Sequence, residues 1–216
     1  SAKQTYLWMH DVPTNPSFTE ERMKKIDKIF VLSQFHKSLL RMIKDGKLID
    51  VPEEKVMVTA NGILPIVINK RWERDPYKLI YASSYDRGLV YLLNMWPDIK
   101  KEVPQAHLEI FYGWILYDVV HKGNPARMKW KVQVQELMRQ EGITDHGRIG
   151  HTELGKEFAT SGIWAYSCSF EEISCINGMK AQAYGAIPVT TNYAALKETV
   201  QYGVKVPLDI TTPEGQ

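Results

Sequence analysis

Cysteine is nearly absent from this 216-residue chain: Cys168 and Cys175 are the only two. A disulfide scaffold is thereby excluded. Their spacing matches no zinc motif, and the pair reads as reduced thiols of a cytoplasmic protein. A charge excess is lacking too. Lys+Arg 27 against Asp+Glu 25 leaves +2, so no global field draws the chain to nucleic acid or membrane. No apolar run approaches the roughly 20 residues that span a bilayer. The opening SAKQTYLWMHDVP lacks the basic-then-apolar order of a secretion signal, and no fixed-period repeat is present. Also missing are the Gly-x-Gly-x-x-Gly turn of dinucleotide enzymes, a Walker A loop, a Gly-x-Ser-x-Gly elbow and a His-Glu-x-x-His helix. What remains is a globular composition, 44% hydrophobic, with length enough to bury roughly 70–75% of the unfolded surface.

Apolar periodicity then alternates between the two regular structures. Strands are expected at 5–9, 28–33 and 55–62, with helices at FTEERMKKI, capped by Ser17 or Thr19, and along the Phe35, Leu39, Met42, Ile43 face. Residues 63–77, with two prolines and mixed charge, read as a connector between domains. After it the pattern restarts with strands at 78–83, 107–113, 147–151, 162–167, 186–191 and 204–209. Helices are expected along Leu89, Leu92, Leu93 and Trp96, then at 126–142, through ELGKEFATS, at 172–185 and at 192–203. Such alternation implies an α/β fold, a Rossmann-like parallel sheet with helices on both faces, preceded by a partial second Rossmann-like domain. The expected units are 1–67 and 68–216.

In open parallel sheets ligands sit at the carboxyl ends of strands. The most informative such end is YSCSFEEISCINGMKAQAYGAIPVTT, where Glu171 and Glu172 precede a helix. Free N–H groups around Ile173, Ser174, Cys175 and Ile176 would receive an anion such as a diphosphate, and an adjoining carboxylate would suit sugar hydroxyls. The plainer alternative is that the acids only favour a helix N-terminus. Cys175 near that terminus reads as a packed thiol, since no base partners it.

That segment resembles the donor-binding stretch of the large retaining glycosyltransferase family called group 1 (family four), which has the GT-B fold. In that family a Glu, seven residues and a second Glu precede a small-x-small-x-Gly-x-Pro-Val run. Here Glu172 stands at the first Glu and AQAYGAIPVT at the run. KIFVLSQF, VPEEKVMVTANGI, IYASSYDRGL, PQAHLEIFYGW and GRIGHTELGKEFATSGIWAYS resemble further family segments in the correct order. The resemblance implies a metal-independent transferase of hexosyl type with no cofactor, taking a nucleotide-diphosphate sugar as donor and an unknown glycan, lipid or protein as acceptor.

By the same resemblance, Glu172 and His10 are the catalytic positions. Arg87 and Gly88 match the family's Lys-Gly, and Ser83 or Ser84 stands where an Arg is usual. Gly113, His151 and Leu154 line the nucleobase side. Lys180 departs from the pattern by replacing the second Glu: an ammonium cannot accept from ribose hydroxyls, so it either approaches a diphosphate oxygen or is a solvated lysine. A chain beginning with Ser1 and holding only the last βα units of its first domain is expected to be a fragment, folding and binding donor but turning over little alone. Alternatives are a non-catalytic sugar-nucleotide-binding module and a GT-B epimerase. The basic runs MKKIDK and INKRWER read as solvated faces rather than as contacts with a membrane surface.

Overall fold

A computed structural model of the chain describes residues 3–13, 18–64 and 72–207. The helix cap proposed at Ser17 and the domain boundary read at residues 67/68 lie outside them, as do most of the connector and the end of the strand expected at 204–209. Strands β1 (Tyr6–Trp8), β3 (Lys28–Val31) and β6 (Val56–Val58) form a parallel three-stranded sheet in the order β1-β3-β6. A second small sheet joins β2 (Phe18–Thr19), β4 (Arg41–Lys44) and β5 (Lys47–Asp50). Helix α1 (Glu20–Lys24) starts where Thr19 accepts from the Arg22 N–H at 3.3 Å. Helix α2 (Gln34–Ser38) starts where Ser33 accepts from the His36 N–H at 2.9 Å.

The second half is a six-stranded, wholly parallel sheet of β7 (Asp75–Tyr81), β8 (His107–Ile110), β9 (Ile143–Asp145), β10 (Ser161–Tyr166), β11 (Ile187–Thr191) and β12 (Val204–Val206). Its order is β12-β11-β10-β7-β8-β9. This is the doubly wound order, whose direction of progression reverses between β7 and β10. The connecting helices are α3 (Leu89–Glu102), α4 (Ile115–His121), α5 (Pro125–Leu137), α6 (His151–Thr160), α7 (Ile176–Tyr184) and α8 (Leu196–Thr199).

The core follows from sequence period. On α3, Leu89, Leu92, Leu93 and Trp96 face the sheet and are fully buried, each contributing about 2 kcal/mol of apolar transfer. Pro97 lies within this helix and cannot donate to the Leu93 carbonyl one turn back. The Gln140 side-chain amide donates to that carbonyl instead, at 2.9 Å, so the helix continues. Arg74, in one of the basic runs read as solvated, donates to the Tyr184 carbonyl at 2.9 Å and to that of Gly185, capping the C-terminus of α7.

Five expectations need correction. The helix drawn through Met42 and Ile43 is a hairpin: Met42 is buried and Ile43 exposed, a period of two. The turn Asp45–Gly46 has φ of 49° and 72°, the conformation two-residue hairpins require. The strand placed at 147–151 lies earlier, at β9, because Gly147 turns the chain with its N–H bound to Asp145. Helix α7 starts at Ile176 rather than 172, since the Glu172 carbonyl accepts from Ala195 N–H at 3.0 Å and not from the next helical turn. The helix at 192–203 shrinks to α8 because Ala194 has φ of 47° and Asn192 N–H donates to the Val206 carbonyl of β12. Helix α4 was not foreseen, and β7 begins inside the stretch read as connector.

The halves meet where Glu198 accepts from the N–H groups of Gln34 and Phe35, both at 2.7 Å, a carboxylate on the first turn of α2. Within the first half, His36 is fully buried, its Nδ1 accepting from Leu32 N–H. Burial lowers its pKa from the ordinary 6.5, against the opposing pull of Asp11. A base with a depressed folded pKa leaves the unfolded state holding more protons below 6.5. Stability is therefore expected to be full above pH 6.5 and to fall as pH drops through the folded-state pKa. Denaturant melts across pH 5–7.5 check this. His36→Phe should flatten the slope, and an unchanged slope would remove His36 as its source.

The turns after β7 and β10 approach so closely that only glycine fits at 88. It has φ of 112°, and a Cβ there would lie 1.8 Å from the Ser167 carbonyl oxygen. Gly88→Ala is expected to cost about 3 kcal/mol or more. Gly123→Ala, with nothing within 4 Å, should stay within about 0.5 kcal/mol of the parent. Equal urea midpoints for the two variants would contradict the close approach.

Candidate functional site

The reversal point between β7 and β10 brings together two loops, residues 82–88 and 167–175. Three contacts fix them. Ser167 Oγ donates to the Gly88 carbonyl at 2.7 Å, Ser169 N–H donates to the Arg87 carbonyl at 3.3 Å, and the Asn177 side chain donates to the Ala82 carbonyl.

Between the loops sits Glu172, its side chain only 10% exposed. Its Oε1 accepts from Arg87 Nη1 at 3.0 Å and from the Tyr166 hydroxyl at 2.7 Å. Ser83 Oγ in turn lies 3.2 Å from the Tyr166 hydroxyl. Burial pulls the Arg87 pKa down, but pairing with Glu172 outweighs it, and the net shift is upward. Arg87 therefore stays a cation, stacked 4.0 Å over the Phe170 ring with about a third of its side chain open to solvent. Glu171, its neighbour in sequence, is exposed and accepts from the Tyr193 hydroxyl at 3.4 Å.

Both loops lead into helices, α3 directly after Gly88 and α7 directly after Cys175. Neither helix has a side-chain cap. Their first-turn N–H groups thus present partial positive charge. Beside α7, the buried Ser174 hydroxyl has no hydrogen-bond partner among the described residues. Glu172 already offsets the Arg87 charge, so beyond that pair the features suited to an anion are two helix starts without a side-chain cap and one unpartnered hydroxyl.

Because α7 begins at Ile176, the backbone donors are those of Ile176 onward, and Ile173 and Cys175 are buried ahead of it. Desolvation pushes the Cys168 thiol up to about 12 and raises that of Cys175 as well. Both are packed thiols. Ser83 is engaged with Tyr166, and Ser84 donates to Asp86 at 2.7 Å, so both hydroxyls are held within the protein. The Gly113 N–H is also taken, by the Tyr85 hydroxyl at 2.9 Å, which itself donates to Asp145 at 2.6 Å.

Lys180 and His151 line a neighbouring cleft of about 530 Å³, with Lys156, Trp72 and Gly62. Burial lowers the Lys180 pKa. Leu154 packs against the main core instead of the cleft. His10 is exposed, its ring 4.7 Å from that of Trp8, with no contact to Glu172. Sequence reading missed Tyr166, Phe170 and Asn177. Only the position of Tyr166 at the end of a strand could have flagged it.

No protein-family model matches the chain, and no curated protein matches it in sequence. Solved structures do match in shape. The GtfA/B complex superposes with a TM-score of 0.64 at 14% identity, over 95% of this chain and 42% of that one. Anabaena HepE in complex with UDP-glucose gives 0.64 at 14% identity, over 94% and 58%. Sucrose-phosphate synthase from Thermosynechococcus elongatus gives 0.63 at 17% identity, over 94% and 55%. The chain spans about half the length of these proteins. It has the α/β architecture of GT-B glycosyltransferases, a six-stranded parallel sheet flanked by helices.

Proposed function

We propose that the chain supplies the donor-binding portion of a retaining glycosyltransferase of group 1 (family four) that uses a nucleotide-diphosphate sugar. Residues 68–216 would be the donor domain and 1–67 the end of the acceptor-side domain. The observation that carries this reading is the Arg87–Glu172 pair held between the loops that lead into α3 and α7 at the reversal point of the sheet, with the unpartnered Ser174 hydroxyl on the second loop. Support comes also from fold neighbours that are glycosyltransferases, one of them solved with UDP-glucose.

In this reading the diphosphate lies across the first turn of α7, with Arg87 forking onto its oxygens and Ser174 donating a further bond. Negative charge grows on the diphosphate as the glycosidic bond breaks, so these donors act most strongly in the transition state. Glu172, held in place by Arg87 and Tyr166, accepts from the sugar hydroxyls and orients the anomeric carbon. His10 would approach the sugar from the other lobe. Lys180, with His151 and Lys156 on the same cleft, would face the anionic part of the nucleotide. The departing diphosphate would itself take the acceptor's proton. The enzyme would act in the cytoplasm with neither metal nor cofactor.

Calorimetry with UDP, UDP-glucose and a panel of other nucleotide sugars tests the reading. At least one should bind, and Arg87→Ala should weaken it about 10–100-fold by removing a charge-assisted contact. Glu172→Gln should weaken the sugar nucleotide more than the bare diphosphate, with the fold retained. Lys180→Glu should weaken UDP about tenfold through like-charge repulsion, and tighter binding would contradict its assigned role. Absence of binding to every nucleotide sugar would overturn the proposal.

A further inference from the structure

The donor reading leaves one surface unused. Helix α4, ILYDVVH, is divided by its helical period into two unlike sides. One side faces the protein: the Tyr117 ring, buried, lies 5.3 Å from that of Trp114 and 5.4 Å from that of Trp130, and the half-exposed Asp118 holds Lys131 at 2.6 Å. The opposite arc carries Ile115, Leu116, Val119 and Val120, exposed by 69, 46, 67 and 72%. Val132 on α5 is exposed as well. An outward helix face ordinarily takes polar residues, and contiguous exposed aliphatics mark an interaction surface.

The charge around this patch is mostly positive: of the exposed acids at its margin, Glu136 is paired with Arg139 at 2.7 Å and Asp86 accepts from Ser84. Between Trp114 and Gln135 the sole acid is Asp118, which is occupied by Lys131, whereas Lys122, Arg127 and Lys129 are exposed cations. The frame is preformed. Asn124 caps α5 through Arg127 N–H at 3.2 Å, the Tyr117 hydroxyl donates to the Arg127 carbonyl at 2.9 Å, and Lys131 lies 5.3 Å from the Trp114 ring centroid.

From the aliphatic arc of α4 and the cationic rim beside it, we propose that this face docks on an anionic lipid bilayer. The aliphatic side chains would enter the headgroup–acyl boundary, and Lys122, Arg127 and Lys129 would meet the acidic headgroups. A second copy fits less well, because opposing two such faces would bring like charges together.

Co-sedimentation with vesicles tests this without any donor. The chain should bind phosphatidylcholine vesicles containing phosphatidylglycerol and release as salt is raised, with binding to pure phosphatidylcholine about tenfold weaker or less. The double variant Val119→Asp and Val120→Ser should lose about tenfold in binding with an unchanged thermal melt, since both sites are exposed. Lys122→Gln and Lys129→Gln should each cost about fivefold. No binding to the anionic vesicles, equal binding to both compositions, or unaltered binding by the double variant would overturn the proposal. So would a dimer, seen by analytical ultracentrifugation, that the double variant dissociates.

Discussion

Glu172 is a carboxylate taken almost wholly out of water, and its two donors come from different elements of the sheet. Arg87 arrives from the loop after β7 and Tyr166 from the end of β10. A buried carboxylate without partners is costly, so this one ties the two loops to a single arrangement. The pair is not symmetric. Losing Arg87 would leave a desolvated anion with one neutral donor, whereas a Gln at 172 would keep an acceptor for both neighbours. The open side of Arg87 is screened by solvent, which brings the worth of the pair down to about 2 kcal/mol. Its greater consequence is positional. The guanidinium, held over Phe170, stays charged and fixed beside the starts of α3 and α7, so little reorganisation is left for ligand binding.

The rest of the second half serves that arrangement. The strand order sets β7 against β10, and the absence of a Cβ at Gly88 lets their loops touch. Asn177 holds the first turn of α7 to the end of β7. The Tyr85–Asp145–Gly113 network links the neighbouring strand ends in the same way. Three of the polar groups a sequence reader would aim at a ligand, on Ser83, Ser84 and Gly113, are spent on this internal scaffolding.

Much of the fold was legible because buried parallel strands and amphipathic helices leave strong periodic signals. The β7-to-β11 alternation and the stripe on α3 are read directly from residue spacing. Boundaries set by long-range hydrogen bonds were not legible. The start of α7 depends on where the Glu172 carbonyl goes, and it goes to Ala195, distant in sequence. The hairpin of β4 and β5 was hidden because Phe35, Leu39, Met42 and Ile43 satisfy a helical spacing by coincidence, while Asp45–Gly46 carried the correct signal. At the candidate site, motif order singled out Glu172 and Arg87, and the fold pairs them. That Tyr166 completes them, and that Glu171 does not compete, follows only from three-dimensional placement.

The anion site proposed at the reversal point between β7 and β10, built on the α7 N-terminus, is open to direct observation through amide chemical shifts. On titrating ¹⁵N-labelled protein with UDP, saturable shifts should concentrate at Ser83–Gly88 and at Glu172–Gly178. The amides of β9 and α8 should stay still. Saturable shifts elsewhere, with Ile176, Asn177 and Gly178 unmoved, would place the UDP site away from α7.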